Sequence, residues 1–417
     1  MSPSGLEVKG SDQSQHLSWL DVVGATAEST TLNINTCKKD NKGHRHLDTF
    51  VFNGQGSDDV NEFAQAIRYM ARFPGQHNPT LPSIEQMAEQ APPLQKCLVL
   101  INPVGGTGHA ESTYDRKVHN VLEAANIVVT KVLTTHQAHA MEIAETLDLT
   151  EYNFLVCVGG DGLEFEVVQG LMQRSDWHDA IRFPMGIIPG GSGNGLAKTL
   201  LHNASEVYSP ENRAFIIAKA SPQSLDIATT RNATSTRYSF LSLSWAFIAD
   251  VDFESEWCRF MGSTRFTVAA VMKILTFKRW KGRLSYLLPD KDAEPQHYWN
   301  NPGNNEPSNA PVIHLLPKTI GGALPNKWAT MEGNFSLFWS TSVSHPTWDA
   351  HLVPGASSSD GYLYLVVVEG DASVMTMTKV LLGLETGSHT ALESVQVIKT
   401  RQATHTHQAW FVYLRLL

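Results

Sequence analysis

The sequence predicts a Rossmann-like α/β nucleotide domain followed by a β-rich domain, with a small β module in front. Three observations carry this. Between residues 95 and 225, short apolar runs such as Leu98-Val99-Leu100-Ile101 alternate with helical segments, the pattern of strands buried on both faces of a parallel sheet. Three such runs end in a glycine-rich turn ahead of a helix: Asn102-Pro103-Val104-Gly105-Gly106-Thr107-Gly108, Gly159-Gly160-Asp161-Gly162 and Pro189-Gly190-Gly191-Ser192-Gly193-Asn194-Gly195. Beyond Leu225 the alternation stops and antiparallel-looking β segments take over.

Residues 1–80 read as a separate module. Strand-like stretches at 17–28, 31–38 and 46–53 are split by polar turns. A helix opens at Ser57 with Asp58 and Asp59 in its first turn, and Val60, Phe63, Ala64, Ile67 and Ala71 share one face. Strands closed by one amphipathic helix fit a pleckstrin-homology-like module and an ordinary β-rich extension equally well. The proline-rich stretch 77–93 reads as a linker, with the boundary drawn at 81–94.

The nucleotide domain, 95–225, alternates strands at 97–101, 127–133, 154–158 and 185–188 with helices at 111–125, 138–147, 163–172 and from 195. The β-rich domain, 226–417, carries strands near 238–247, 282–288, 335–340 and 362–368, and helices near 264–277 and 372–384. The polar stretch 290–310 reads as a surface insertion.

Composition narrows the function. The 417 residues carry a formal net charge of −9 with Lys and Arg scattered, which argues against nucleic acid as a partner. No apolar stretch reaches the roughly 18 residues of a membrane span, and residues 1–15 lack the apolar core of a secretory signal. Cys37, Cys97, Cys157 and Cys258 form no CxxC pair and fit buried thiols in a reducing compartment. A cytoplasmic protein is the expectation.

The glycine turns carry the chemistry. Backbone N–H groups in such a turn converge on an anion, and a helix N-terminus adds a favourable dipole. Any one of them alone reads more readily as a structural turn; three within one α/β unit reverse that and point to a cradle for nucleotide phosphates. None is a Walker A loop, since Lys198-Thr199 follows Ala197 rather than glycine, and G-x-G-x-x-G is absent. Asp161 has two readings, a helix cap or the carboxylate that accepts the proton of an attacking hydroxyl. Glu166 follows on the same helix.

The three loops, in this order and spacing, resemble the diacylglycerol kinase catalytic superfamily. Within it, the segment from Phe240-Leu241-Ser242-Leu243-Ser244-Trp245 through Asp250-Val251-Asp252-Phe253-Glu254-Ser255-Glu256, continuing to Arg259, Gly262, Arg265 and Phe266, is similar to the block that distinguishes sphingosine kinases. The resemblance spans about residues 96–401. It implies a lipid kinase that uses ATP and Mg²⁺ to phosphorylate the primary hydroxyl of a sphingoid base, with ceramide or diacylglycerol kinase activity as the neighbouring alternatives.

The roles it implies are residue by residue. Asp161 is the general base. Gly159, Gly160, Ser242 and Asp252 contact the substrate, Asp252 taking its ammonium. Asn102, Pro103, Val104, Gly105, Gly106, Thr134, Glu166, Ser192, Gly193, Asn194, Arg259 and Arg265 contact ATP; no residue is assigned as a metal ligand. Ile248, Val251, Phe266 and Leu381 fit an alkyl slot or plain core. By composition alone, Asp252 belongs to an acidic run that also fits a solvated turn. A lipid substrate and no span together imply transient peripheral contact with a membrane surface.

Two departures stand out. Ala138 replaces the polar residue the family usually places near the adenosine. After about Arg401 the chain runs Gln402-Ala403-Thr404-His405-Thr406-His407, without the family's late Asp-Gly-Glu. The expectations from this are an unpaired final strand, a His-x-His in a loop, and, as a rival reading, a catalytically impaired lipid-binding protein.

Overall fold

Polar turns between alternating stretches set up the first strands. The structure, a computed structural model, describes residues 1–9, 14–54, 56–72, 81–106, 108–220, 222–232, 234–255, 280–288, 327–407 and 410–416. A hairpin of β1 (Gly5–Lys9) and β2 (Ser14–Ser18) lies beside an antiparallel sheet of β3 (Val22–Glu28), β4 (Thr31–Lys39) and β5 (Arg45–Asn53). Helix α1 (Ser57–Arg72) packs Val60, Ala64, Ile67, Met70 and Ala71 inward, and Ala64, Ile67, Met70 and Ala71 share a core with Leu17, Trp19 and Ile34. Phe63, expected on that face, is 38% exposed. Periodicity sets the direction of a side chain but not the neighbour that covers it. The expected linker holds a short helix, α2 (Ile84–Glu89), closed by a capping box between Ser83 and Gln86.

This layer packs against the nucleotide domain. Val23 and Cys37 share a core with Val99, Val121, Ile127 and Ala218 of the nucleotide domain. Arg45 bridges Asp21 and Glu206, each at 2.7 Å, and Asn35 Nδ2 donates to Ala124 O at 3.1 Å. Lys219 Nζ donates to Trp19 O and Val22 O at 2.9 Å and to Ala71 O at 2.5 Å; burial lowers its pKa to about 8. The sequence could not show this, because each bond joins segments far apart in the chain. Lys219→Met strands three carbonyls and is expected to cost about 3 kcal/mol or more, read as a fall in the urea midpoint. An unchanged midpoint would show that apolar contact alone holds the layer.

The parallel sheet comprises β6 (Gln95–Ile101), β7 (Ile127–Leu133), β8 (Phe154–Gly159) and β9 (Met185–Pro189), in the order β7-β6-β8-β9. β8 is buried along its whole length, as expected of a strand covered on both faces. One face packs on Tyr114, Val118 and Leu122, the other on Ala140, Ala144, Leu163 and Val167. The helix expected at 111–125 is broken into α3 (Ala110–Thr113), a π turn at Tyr114–Val118 and α4 (His119–Ala124). The wide turn accompanies burial of both Tyr114 and Val118 against the sheet. Helices α5 (His139–Thr146), α6 (Asp161–Gln173), α7 (Trp177–Ala180), α8 (Gly195–Asn203) and α9 (Pro210–Ala218) complete this part. The strand order reverses between β6 and β8, so their carboxyl ends flank the crevice where ligands bind in such sheets.

The remaining strands are β10 (Ala228–Arg231), β11 (Thr236–Ser239), β12 (Ser242–Ala246), β13 (Trp280–Leu287), β14 (Trp328–Thr341), β15 (Leu363–Glu369), β16 (Gln396–Thr400), β17 (Gln402–His407) and β18 (Trp410–Leu416). They form a nine-stranded antiparallel sheet, β11-β10-β18-β17-β13-β14-β15-β16, with β12 also on β14. Helices α10 (Phe247–Ser255) and α11 (Val374–Leu384) supply Phe247, Val251, Met377 and Val380 to a core beneath it. The final strand is not the unpaired edge expected: β17 pairs with β13 and β18, and β18 with β10. The hairpin fills the gap between β13 and β10, satisfying backbone groups on both. His405 and His407 therefore lie on a strand, and His405 is buried. The expected helix at 264–277 and the insertion at 290–310 lie outside the described residues. No helix among the described residues is long and apolar enough to cross a membrane.

Candidate functional site

Each glycine turn starts where a buried strand ends, so the sheet itself gathers them. After β6, Asn102 N donates to Val158 O at 3.1 Å, and Asn102 Oδ1 accepts from Val104 N at 3.1 Å and Gly105 N at 3.0 Å. Pro103 follows on, and Val104 is 85% exposed at the open side. After β9, Gly190 N donates to Gly159 O at 2.7 Å. Asn194 closes its own loop, with Oδ1 accepting from Gly191 N at 2.9 Å and Nδ2 donating to Gly191 O at 2.8 Å.

The loops touch backbone to backbone. A Cβ on Gly191 would lie 2.4 Å from Gly160 Cα, and one on Gly106 would lie 2.8 Å from Gly191 Cα. Gly106 also has φ +61°, the left-handed region that favours glycine. No side chain fits between these strands of backbone. A Cβ on Gly193 would lie 2.8 Å from Asp161 Oδ2, which sets Ser192-Gly193-Asn194 against the carboxylate.

Asp161 resolves between its two readings in an unexpected way. It opens α6, whose N-cap is Gly160 with no side-chain cap bond. Its carboxylate instead lies at the start of α8, Oδ2 accepting from Gly195 N at 3.1 Å and Oδ1 from Leu196 N at 3.3 Å. Asp161 is half-buried, and burial raises its pKa above the ordinary carboxylate value although four backbone N–H groups pull it down.

Glu166 and Thr134 complete the rim. Glu166 Oε1 accepts from Ala138 N at 3.0 Å, and Thr134 N donates to Ile101 O at 2.8 Å. Ala138 (φ +66°) thus makes its contact through the backbone, which alanine supplies as well as a polar residue.

Sequence reasoning missed Glu164. It is 1% exposed, one helical turn beyond Asp161, and its Oε2 has no hydrogen-bond partner. Burial, and then the Asp161 charge, push its pKa well up, while Arg213 opposes them. Arg213 is itself buried, its Nε donating to Ile187 O at 2.9 Å, and burial lowers its pKa to about 10. An acidic residue in a first helical turn reads as solvent-facing, so no local signal marked this one.

The β-rich part reaches the same place. Trp348 N donates to Gly193 O at 2.8 Å, and Asn194 forms a bridge with Thr347. Below that contact, the rings of His345 and His351 stack at 4.2 Å, beside His202 of α8. Ser242 begins β12, opposite Thr341. Ile248 and Leu381 pack against the core that contains Val251. Asp252 lies on α10, and its side chain, like Phe266, Arg259 and Arg265, lies outside the described residues. The structure therefore brings Asn102, Gly105, Gly106, Gly159, Gly160, Asp161, Thr134, Glu166, Ser192, Gly193 and Asn194 to one end of the sheet.

Comparison with known proteins gives the family. The family model of the diacylglycerol kinase catalytic domain matches residues 96–230. Sphingosine kinase 1 of Arabidopsis thaliana is 33% identical over 309 residues, covering 74% of this chain and 63% of that protein. Sphingosine kinase 1 of Mus musculus is 32% identical over 306 residues, covering 72% of this chain and 78% of its own length. Sphingoid long chain base kinase 4 of Schizosaccharomyces pombe is 30% identical, covering 75% and 67%. The chain thus spans less than two thirds of the Arabidopsis relative, 63% of its length. A Bacillus anthracis str. Sterne structure assigned as a diacylglycerol kinase shares the fold, with a TM-score of 0.53 at 16% identity over 78% of this chain and 94% of that one.

Proposed function

Since this chain belongs to the sphingosine kinase family, we propose that it transfers the γ-phosphoryl group of ATP to the primary hydroxyl of a sphingoid base, such as sphingosine, sphinganine or phytosphingosine, giving the 1-phosphate. The observation that carries this reading is the meeting of the three glycine loops around one carboxylate, Asp161. Loops bare of side chains let phosphates approach the backbone closely, and the start of α8 adds its dipole. Asp161 takes the hydroxyl proton as the new O–P bond forms and the bond to ADP breaks.

ATP fits a cradle that a Cβ would fill. Mg²⁺ would arrive on the ATP phosphates and would neutralise charge on the transferring group. Arg259 and Arg265 would meet the phosphates.

Purified protein should move γ-phosphate from ATP to sphingosine in preference to ceramide or diacylglycerol. Equal use of those lipids would place it with the neighbouring kinases. Asp252→Ala should weaken amino-lipid binding by about 2–5 kcal/mol, as truncating one partner of a buried charge pair does, and leave ATP affinity unchanged. Lipid KM measured against ATP KM reads this directly; a matched rise in both would remove Asp252 from the head-group role. Our reading includes a cytoplasmic protein with transient membrane contact, supported by Met375 and Leu382 of α11, which are 69% and 75% exposed.

A further inference from the structure

A cavity of about 50 Å³, room for more than one water, opens on the seam between the N-terminal layer and the nucleotide domain. Arg68 and Arg72 of α1 line one side, and Pro92, Pro93, Gln95 and Asn126 the other. No carboxylate is among the lining residues. Arg68 Nε is buried and makes no hydrogen bond. Burial alone lowers the pKa of both arginines, with no acidic neighbour acting against it.

Arg72 also lies close enough to Lys219 to depress the pKa of that buried ammonium. Asn126 Oδ1 accepts from Ala25 N at 3.2 Å, so the donor half of the amide remains to serve a ligand. A chain of net charge −9 has acids to spare, yet places none here. A guanidinium does not shed its proton, and desolvating it without an anion is unfavourable. A phosphate group answers both its charge and its forked donors.

We propose that this cavity is a phosphate-binding site, separate from the glycine loops, in which Arg68 and Arg72 hold either a free phosphate or soluble phosphate ester, or the phosphodiester of a lipid headgroup. The ligand touches α1 on one side and the approach to β6 on the other, so its binding strengthens the docking of the N-terminal layer. The site is independent of the kinase reading, since it uses none of the residues assigned to turnover.

The test is calorimetric titration of the full-length protein with inorganic phosphate, at ionic strength held constant with chloride, for the parent and for Arg68→Gln/Arg72→Gln. The double variant should bind phosphate at this site about tenfold or more weakly than the parent, as expected for loss of charged hydrogen bonds, whatever the glycine loops add to both titrations. Identical titrations for the two proteins overturn the proposal. Should the double variant fail to fold, Arg72→Lys, which keeps the charge but lacks the fork, carries the same comparison.

Vesicle flotation then separates the sources, using phosphatidylcholine with and without phosphatidylglycerol. Flotation of the parent but not the variant with the anionic vesicles assigns the lipid headgroup. Weakened phosphate binding with equal flotation assigns the soluble phosphate.

Discussion

Asp161→Asn should lower kcat by about 10²–10⁴-fold, the usual contribution of a general base, while the protein keeps its fold. Asn retains an oxygen to accept one of the two α8 N–H bonds, so the structural loss is about 1 kcal/mol. The pH profile separates the two roles of this carboxylate. Its pKa is raised above 3.8, and the base works only when ionised. Activity is therefore full above the folded pKa and is lost as pH falls through it, at a higher pH than an ordinary carboxylate would show. Stability runs the other way: the ionised form is penalised in the folded state, and acidification relieves that penalty. Parent kcat/KM should show this acid limb, and the residual activity of Asp161→Asn should lack it. Near-normal turnover, or a limb that survives the substitution, would leave Asp161 as a cap for α8 and nothing more.

Gly191→Ala is expected to weaken productive ATP binding, with a loss in kcat/KM for ATP on the order of 10²-fold, the cost of misplacing reacting groups by about 1 Å. Its Cβ would sit 2.4 Å from Gly160 Cα and 2.8 Å from Gly160 N, and backbone has no flexible end that gives way. The second and third loops must then part. Gly162→Ala is the control. It lies in α6 with nothing within 4 Å of the added Cβ, so alanine should be neutral or stabilise the helix by about 0.5–1 kcal/mol. Thermal unfolding and ATP titration of both variants decide the matter. Equal behaviour of the two would show that loop contact does not position the nucleotide.

Those two glycines look alike in the sequence and differ only in three dimensions. What was legible beforehand was local: apolar runs too short for helices, turn residues at their ends, and Asp161 on a bare turn. Strand periodicity and turn chemistry are properties of a few adjacent residues, so the parallel sheet and its three loops could be read directly. The family resemblance then gave roles to Asp252, Arg259 and Arg265 that composition alone did not. Tertiary structure decided the rest. Asp161 caps α8 rather than its own helix, Glu166 ties down the backbone of Ala138, and Arg213 approaches Glu164 from α9. The N-terminal layer shares a core with the nucleotide domain, and β17 and β18 close a gap in the β-rich sheet. Each of these is a contact between segments distant in the chain. Its partners are chosen by packing and by the need to satisfy buried polar groups, and no pattern within either segment encodes the other.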